Sequence, residues 1–198
     1  MSRVRIAAAL SIAGFVFATG LAGCGGDSAS DTTEVEVADG VTISVPTDVG
    51  DQPPKEGLAT TLDSIADQVG FSDEWRNCLA TELDAISDAR IDAIVDESNP
   101  ETNTQAALRF NAQIARVCGR KVAVVVNPDA TSDQVELLKG LTAVQLSQAL
   151  AGGRVTPEQI TCIVDQYETL SNDQVIKFAN FSARQSLRTM RGWLRDCA

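Results

Sequence analysis

The sequence contains no histidine. That removes Ser-His-Asp and Cys-His catalysis, histidine metal sites and the usual near-neutral proton shuttle. Basic residues are also few, 16 against 27 acidic, for a formal net charge of -11 over 198 residues. Nucleic acid is therefore not an expected partner, because such binders need a basic stripe to neutralise phosphates. There is no Cys-x-x-Cys, no phosphate loop, no dinucleotide fingerprint, no G-x-S-x-G elbow and no EF-hand pattern. No cofactor, metal or catalytic residue is expected on these grounds. Hydrophobic residues nevertheless make up 44% of the chain, enough for a packed core.

The longest N-terminal apolar run, Ile6 to Ala18, is too short to span a bilayer, which takes roughly 18 residues or more. It follows Arg3 and Arg5, and the order of basic flank and apolar stretch is that of an export signal. Leu21-Ala22-Gly23-Cys24 comes next. This tetrapeptide resembles the lipobox of bacterial lipoproteins. The resemblance implies cleavage after Gly23 and a diacylglyceryl group on the sulfur of Cys24. It also implies a chain held on the extracytoplasmic face of the cell membrane by its lipid. Anchoring of this kind needs no spanning helix, and two or more acyl chains make it stable.

Gly25 to Glu56 holds eight acidic residues and one basic residue, Lys55. With its Gly, Ser, Thr and Pro53-Pro54, it reads as a solvated spacer, roughly 30 Å end to end as a coil. Within it, Val35, Val37, Val41, Ile43 and Val45 alternate with polar residues around Asp39-Gly40. Period two on both sides of an Asp-Gly turn is a hairpin signal over 34–45. Such a hairpin needs a domain to dock on.

Four cysteines remain, and export into an oxidising compartment reads them as two disulfides. Three pairings are open in principle. An internal repeat favours one of them. Residues 71–78 lie above residues 155–162 at a constant offset of 84, with Ser72 over Thr156, Glu74 over Glu158 and Cys78 over Cys162. The phase continues without gaps through Leu79/Ile163, Leu83/Tyr167, Ser87/Ser171, Ile91/Val175 and Ile94/Phe178. Each copy reads as three short helices. The first starts after Ser72 or Thr156 and the second after Ser87 or Ser171. The third ends at Cys118 or Cys197. The simplest pairing is Cys78–Cys118 with Cys162–Cys197, one staple per unit, each stabilising by just under about 4 kcal/mol. The expected fold is therefore mainly α: two similar disulfide-stapled three-helix units, with a small hairpin docked near the N-terminus. The implied organisation is signal 1–23, lipid-anchored acidic linker 24–56, unit one 57–121, connector 122–131 and unit two 132–198. Val122 to Val126 suits either a buried strand paired with the hairpin or the tail of a helix. Ser132 to Gly140 and Leu141 to Ala151 both read as helical, with Gly152-Gly153 as a stop.

The units are similar to helical cysteine repeats in secreted proteins of high-GC Gram-positive bacteria. There the pattern is a hydroxyl, a cysteine six residues on, a Leu-Ser cap and a closing cysteine. That resemblance covers about residues 70–198 and implies an envelope setting, with no activity attached.

Two patterns of charge mark the surface. Asp88, Asp92 and Asp96 recur every four residues. A solvated helix face explains them better than a calcium ledge, which needs six to eight oxygens from a folded loop. Arg184, Arg188, Arg191 and Arg195 are spaced 4, 3 and 4 along the last helix. One reading is a dock for phosphate groups or an acidic partner. The blander one is a solvated face pairing with neighbouring Glu and Asp. Trp75 and Trp193 read as core anchors. Taken together, these features suggest a non-catalytic envelope binding module. The alternatives are a carrier of a hydrophobic ligand between the units and, less supported, an enzyme.

Overall fold

The computed structural model describes residues 32–38, 41–46, 52–95, 100–151 and 155–198. The signal segment 1–23, Cys24, the Asp39-Gly40 turn, Asp96 and Gly152-Gly153 lie outside the described residues.

A two-stranded hairpin comes first, β1 Thr32–Ala38 antiparallel to β2 Val41–Pro46. Val35 faces Ile43, and an irregularity lies between Glu36 and Ala38. The hairpin is docked, as it must be for stability. Ile43 and Val45 are buried. The outer edge of β2 is covered by a side chain: Ser44 N donates to Gln68 Oε1 at 2.8 Å, and Gln68 Nε2 donates back to the Ser44 carbonyl at 2.6 Å. An exposed edge is otherwise a template for unwanted pairing.

Eight helices follow among the described residues: α1 Pro54–Gln68, α2 Asp73–Asp84, α3 Asp88–Val95, α4 Pro100–Lys121, α5 Ser132–Ala151, α6 Pro157–Glu168, α7 Asn172–Ala179 and α8 Ala183–Asp196. The offset of 84 is visible in the bounds themselves, since α2 and α6, and likewise α3 and α7, start and stop at equivalent positions. Their caps agree too. Ser72 accepts from Trp75 N, Thr156 forms a capping box with Gln159, and Ser171 forms one with Gln174. The disulfides are Cys78–Cys118 and Cys162–Cys197, with Cα separations of 5.8 and 5.9 Å. Each three-helix unit is preceded by a further helix, α1 or α5.

Three local expectations change. Pro53-Pro54 is not spacer: Pro53 caps α1 and Pro54 opens it, because proline at the first helical position gives up an N–H that has no partner there. Lys55 then belongs to the domain: its Nζ donates to the carbonyls of Asp84 and Ile86, both at 2.9 Å, at the end of α2. Ser132–Ala151 is one continuous helix running through Gly140. Val122–Val126 neither joins the hairpin nor extends α4. It is an irregular connector that bends at Ala123 and Val125 and is bridged to Phe71 at Val126.

That connector ties the two units together. Ser72 N donates to the Val125 carbonyl at 2.9 Å, Asn127 N donates to Gly70 O at 2.9 Å, and Ser72 Oγ donates to Val124 O. Gly70 sits at φ +69, and a Cβ there would lie 2.9 Å from the Ala130 Cβ. Only glycine allows both that backbone turn and that approach. From unit two, Asn180 Oδ1 accepts from Val125 N and Val126 N at 2.6 and 2.9 Å. The buried side chains form one continuous core across both units, from Ile43 and Leu62 through Trp75 and Val126 to Leu138, Tyr167 and Val175. Trp75 is fully inside it. Trp193 is only partly covered and closes the edge of unit two, its ring 5.4 Å from Phe178 and 6.3 Å from Tyr167.

Candidate functional site

The candidate site is the outward face of α8. Two rows of side chains, two positions apart, determine what that helix presents. Ser186, Met190, Trp193 and Cys197 follow the spacing 4, 3, 4 and face the domain. Ser186 and Met190 are buried, Trp193 lies on the Tyr167–Phe178 pair, and Cys197 is bonded to Cys162 on α6. Arg184, Arg188, Arg191 and Arg195 repeat the same spacing two residues earlier. Two residues turn an α-helix by about 200°, so burying one row points the other away from the protein. All four arginines are exposed. The disulfide fixes the rotation of the helix, and the aromatic contacts hold its middle.

Among the described residues none of the four arginines makes an ion pair; the salt bridges run from Arg76 to Asp63 and Asp67 and from Lys121 to Glu82. The structure therefore supports a solvated face but not one paired with neighbouring carboxylates. Together with Leu187, the four arginines line a shallow groove of about 470 Å³. The arrangement is locally unfavourable. Arg184–Arg188, Arg188–Arg191 and Arg191–Arg195 are like-charged neighbours at helical spacing, each pair costing roughly 0.2–0.5 kcal/mol. The first turn of α8 carries no acid, whereas α1, α2, α3, α5, α6 and α7 each carry at least one. Arg184 thus stands at the positive end of the helix dipole. An anion laid along the face would relieve both terms.

Asp88 and Asp92 are exposed on α3, as a solvated face requires. No group of three or more His, Cys, Asp or Glu is placed to hold a metal among the described residues. Nor, among them, is any helix long and apolar enough to cross a membrane. The strongly displaced titratable group is Tyr167, whose phenol burial raises well above its usual range and the nearby Thr142 hydroxyl partly restores. It faces the core, away from the arginine face. The arginine row was legible in the sequence. The polar side chains that hold distant segments, Gln68, Gln134 and Asn180, were not, because their partners are backbone groups far along the chain.

No protein-family profile matches this chain, and comparison with curated proteins and with solved structures likewise finds no match.

Proposed function

We propose that this chain is a lipid-anchored protein of the bacterial cell envelope. In this reading Cys24 carries the lipid, and a rigid, disulfide-stapled helical domain outside the cytoplasmic membrane acts as a non-catalytic binding module. The binding surface is the α8 face, and the partner is anionic. The observation that carries this is the exposed row of Arg184, Arg188, Arg191 and Arg195, unpaired by any described carboxylate, on a chain whose net charge is -11. Cationic side chains left together on a helix that could have been neutralised by neighbours are a common mark of a surface held ready for an anion.

The lipobox resemblance supports the anchor, and two disulfides suit an oxidising compartment. A hydrophobic-ligand carrier lacks comparable support, because the seam between the units is filled by Phe71, Val125 and Val126 and clamped by Asn180.

Two measurements test the proposal. Mass spectrometry of the chain purified from bacterial membranes is expected to find a diacylglyceryl adduct on Cys24 that Cys24→Ser abolishes. Retention on a sulfated anionic resin is expected despite the acidic composition, and it is expected to disappear when all four arginines become glutamine. Retention unchanged by that substitution rules out the α8 face.

A further inference from the structure

We propose that the α8 arginine face is a membrane-docking surface that takes the phosphates of anionic phospholipid head groups. This deepens the reading above and rests on the lipid at Cys24. Three observations point to a membrane as the occupant. The first is reach. As a free coil the whole acidic segment would span roughly 30 Å and reach much further when extended. The structure instead docks β1 and β2 on the domain and starts α1 at Pro54. Only eight residue steps then separate Cys24 from Thr32, at most about 28 Å fully extended. A domain of this size is roughly 40 Å across. The anchor therefore holds the domain within its own diameter of the lipid surface, with enough slack to roll.

The second observation is where the charge lies. Residues 57–121 contain eleven acids and six bases, whereas residues 132–198 contain seven of each. Four of those last seven bases are the α8 row. The molecule is thus electrically polarised. An anionic surface repels the hairpin, with exposed Glu34, and unit one, with exposed Asp73, Glu74, Asp84, Asp88 and Asp92. It attracts the α8 face, so the field alone selects one orientation.

The third is shape. The four guanidinium groups lie along about 16 Å of one straight helix, at 1.5 Å per residue. Each is a planar fork suited to phosphate oxygens. Leu187, within the groove they line, offers an apolar contact at head-group depth. A linear, multi-point array fits a surface of repeated phosphates better than one small ion. Each basic residue near an anionic surface contributes about fivefold to local partitioning, so the row is worth on the order of several hundred-fold at low salt. Most of that disappears when salt shortens the screening length to a few ångströms.

The test uses the full lipidated chain, placed on vesicles of phosphatidylcholine alone or with phosphatidylglycerol. Arginine modification by phenylglyoxal is then read peptide by peptide. The expected result is that Arg184, Arg188, Arg191 and Arg195 react at least tenfold more slowly on the phosphatidylglycerol vesicles, that molar salt restores their reactivity, and that Arg90 reacts equally on both. Equal reactivity of the α8 row on both vesicles overturns the docking. So does equal protection by inorganic phosphate without anionic lipid, which would assign the face to a free anion. Sedimentation of the same samples separates the two readings. A chain retained only by phosphatidylglycerol vesicles retains the docking and discards the anchor. A chain retained by neither discards both.

Discussion

Asn180 holds Val126 by both of its backbone groups: Oδ1 accepts from the Val126 N–H and Nδ2 donates to the Val126 carbonyl, each at 2.9 Å. The same Oδ1 also takes the Val125 N–H at 2.6 Å. One side chain at the end of α7 thus does for the connector what a neighbouring strand would do in a sheet. The groups it satisfies are largely buried, and an unsatisfied buried polar group costs about 1–3 kcal/mol. Asn180→Ala is therefore expected to destabilise the domain by roughly 2–4 kcal/mol, with loss of amide-exchange protection at Val125 and Val126. Asn180→Asp is the sharper variant, since a carboxylate can still accept from both N–H groups but cannot donate to Val126 O. It should protect the two amides yet still lower the melting temperature. A melting temperature equal to wild type in both variants would show that the clamp contributes nothing to the union of the two units.

The two disulfides differ in access, not in connectivity. Cys78 is partly exposed but its partner Cys118 is fully buried, whereas Cys162 and Cys197 are both partly exposed, with the Gln166 amide 3.2 Å from the Cys197 sulfur. Thiol exchange needs an approach to sulfur. Mild reductant is expected to open Cys162–Cys197 before Cys78–Cys118, as read by alkylation and peptide mass. Replacing Cys162 and Cys197 by serine should cost about 4 kcal/mol. It should also free the rotation of α8, so anionic retention falls even at temperatures where the domain stays folded. Reduction in the opposite order would mean that opening of unit one, not surface access, controls exchange.

Tyr167 is the single tyrosine of the chain, buried in unit two against Phe178 and Trp193. Loss of solvent around the phenolate raises its pKa, and Thr142 offsets part of this. Because the folded-state pKa is the higher one, the neutral phenol's contribution to stability is complete below the unfolded value of about 10 and is lost as pH rises beyond it. Tyrosinate absorbance is expected to stay absent through pH 10 and to appear together with the loss of helical circular dichroism. A tyrosinate signal rising near pH 10 with helicity intact would place the ring in contact with water.

Much of the repeat could be read in advance because its signals are local. A hydroxyl cap, an apolar face and a cysteine at fixed positions are repeated intact 84 residues later, and α2 and α6 obey them to the residue. The hairpin was readable for the same reason, through alternation of period two around Asp39-Gly40. The joins between the hairpin and α1 and between the two units were not. Gln68 on Ser44, Gln134 on the Asp67 carbonyl and Asn180 on Val126 connect residues 24, 67 and 54 positions apart. An amide side chain leaves no periodic trace of which backbone it will find. Arg184 to Arg195 form a middle case. Their shared face follows from spacing, but the absence of acidic neighbours depends on how α8 lies on α6, with Glu158, Asp165 and Glu168 pointing to solvent.

Gly140 and Gly192 make a matched pair for testing that packing, since each sits within a helix. By propensity alone, alanine at either position should stabilise by about 1 kcal/mol. At Gly192 an added Cβ meets nothing within 4 Å, so Gly192→Ala is expected to deliver most of that gain, raising the melting temperature by roughly 2–4 °C. At Gly140 the same atom would stand 2.7 Å from Val41 Cγ2 on β2. Overpacking of this kind typically costs about 1–3 kcal/mol, which cancels or exceeds the helix gain. Gly140→Ala is therefore expected to be neutral to destabilising, and its strain should appear in the hairpin as faster amide exchange at Ser44, whose N–H is held by Gln68. The contrast isolates the docking contact from the helix itself. If Gly140→Ala stabilises as much as Gly192→Ala, with Ser44 still protected, then the hairpin does not press on α5. The short tether that brings the arginine face to the bilayer would then lose its structural basis.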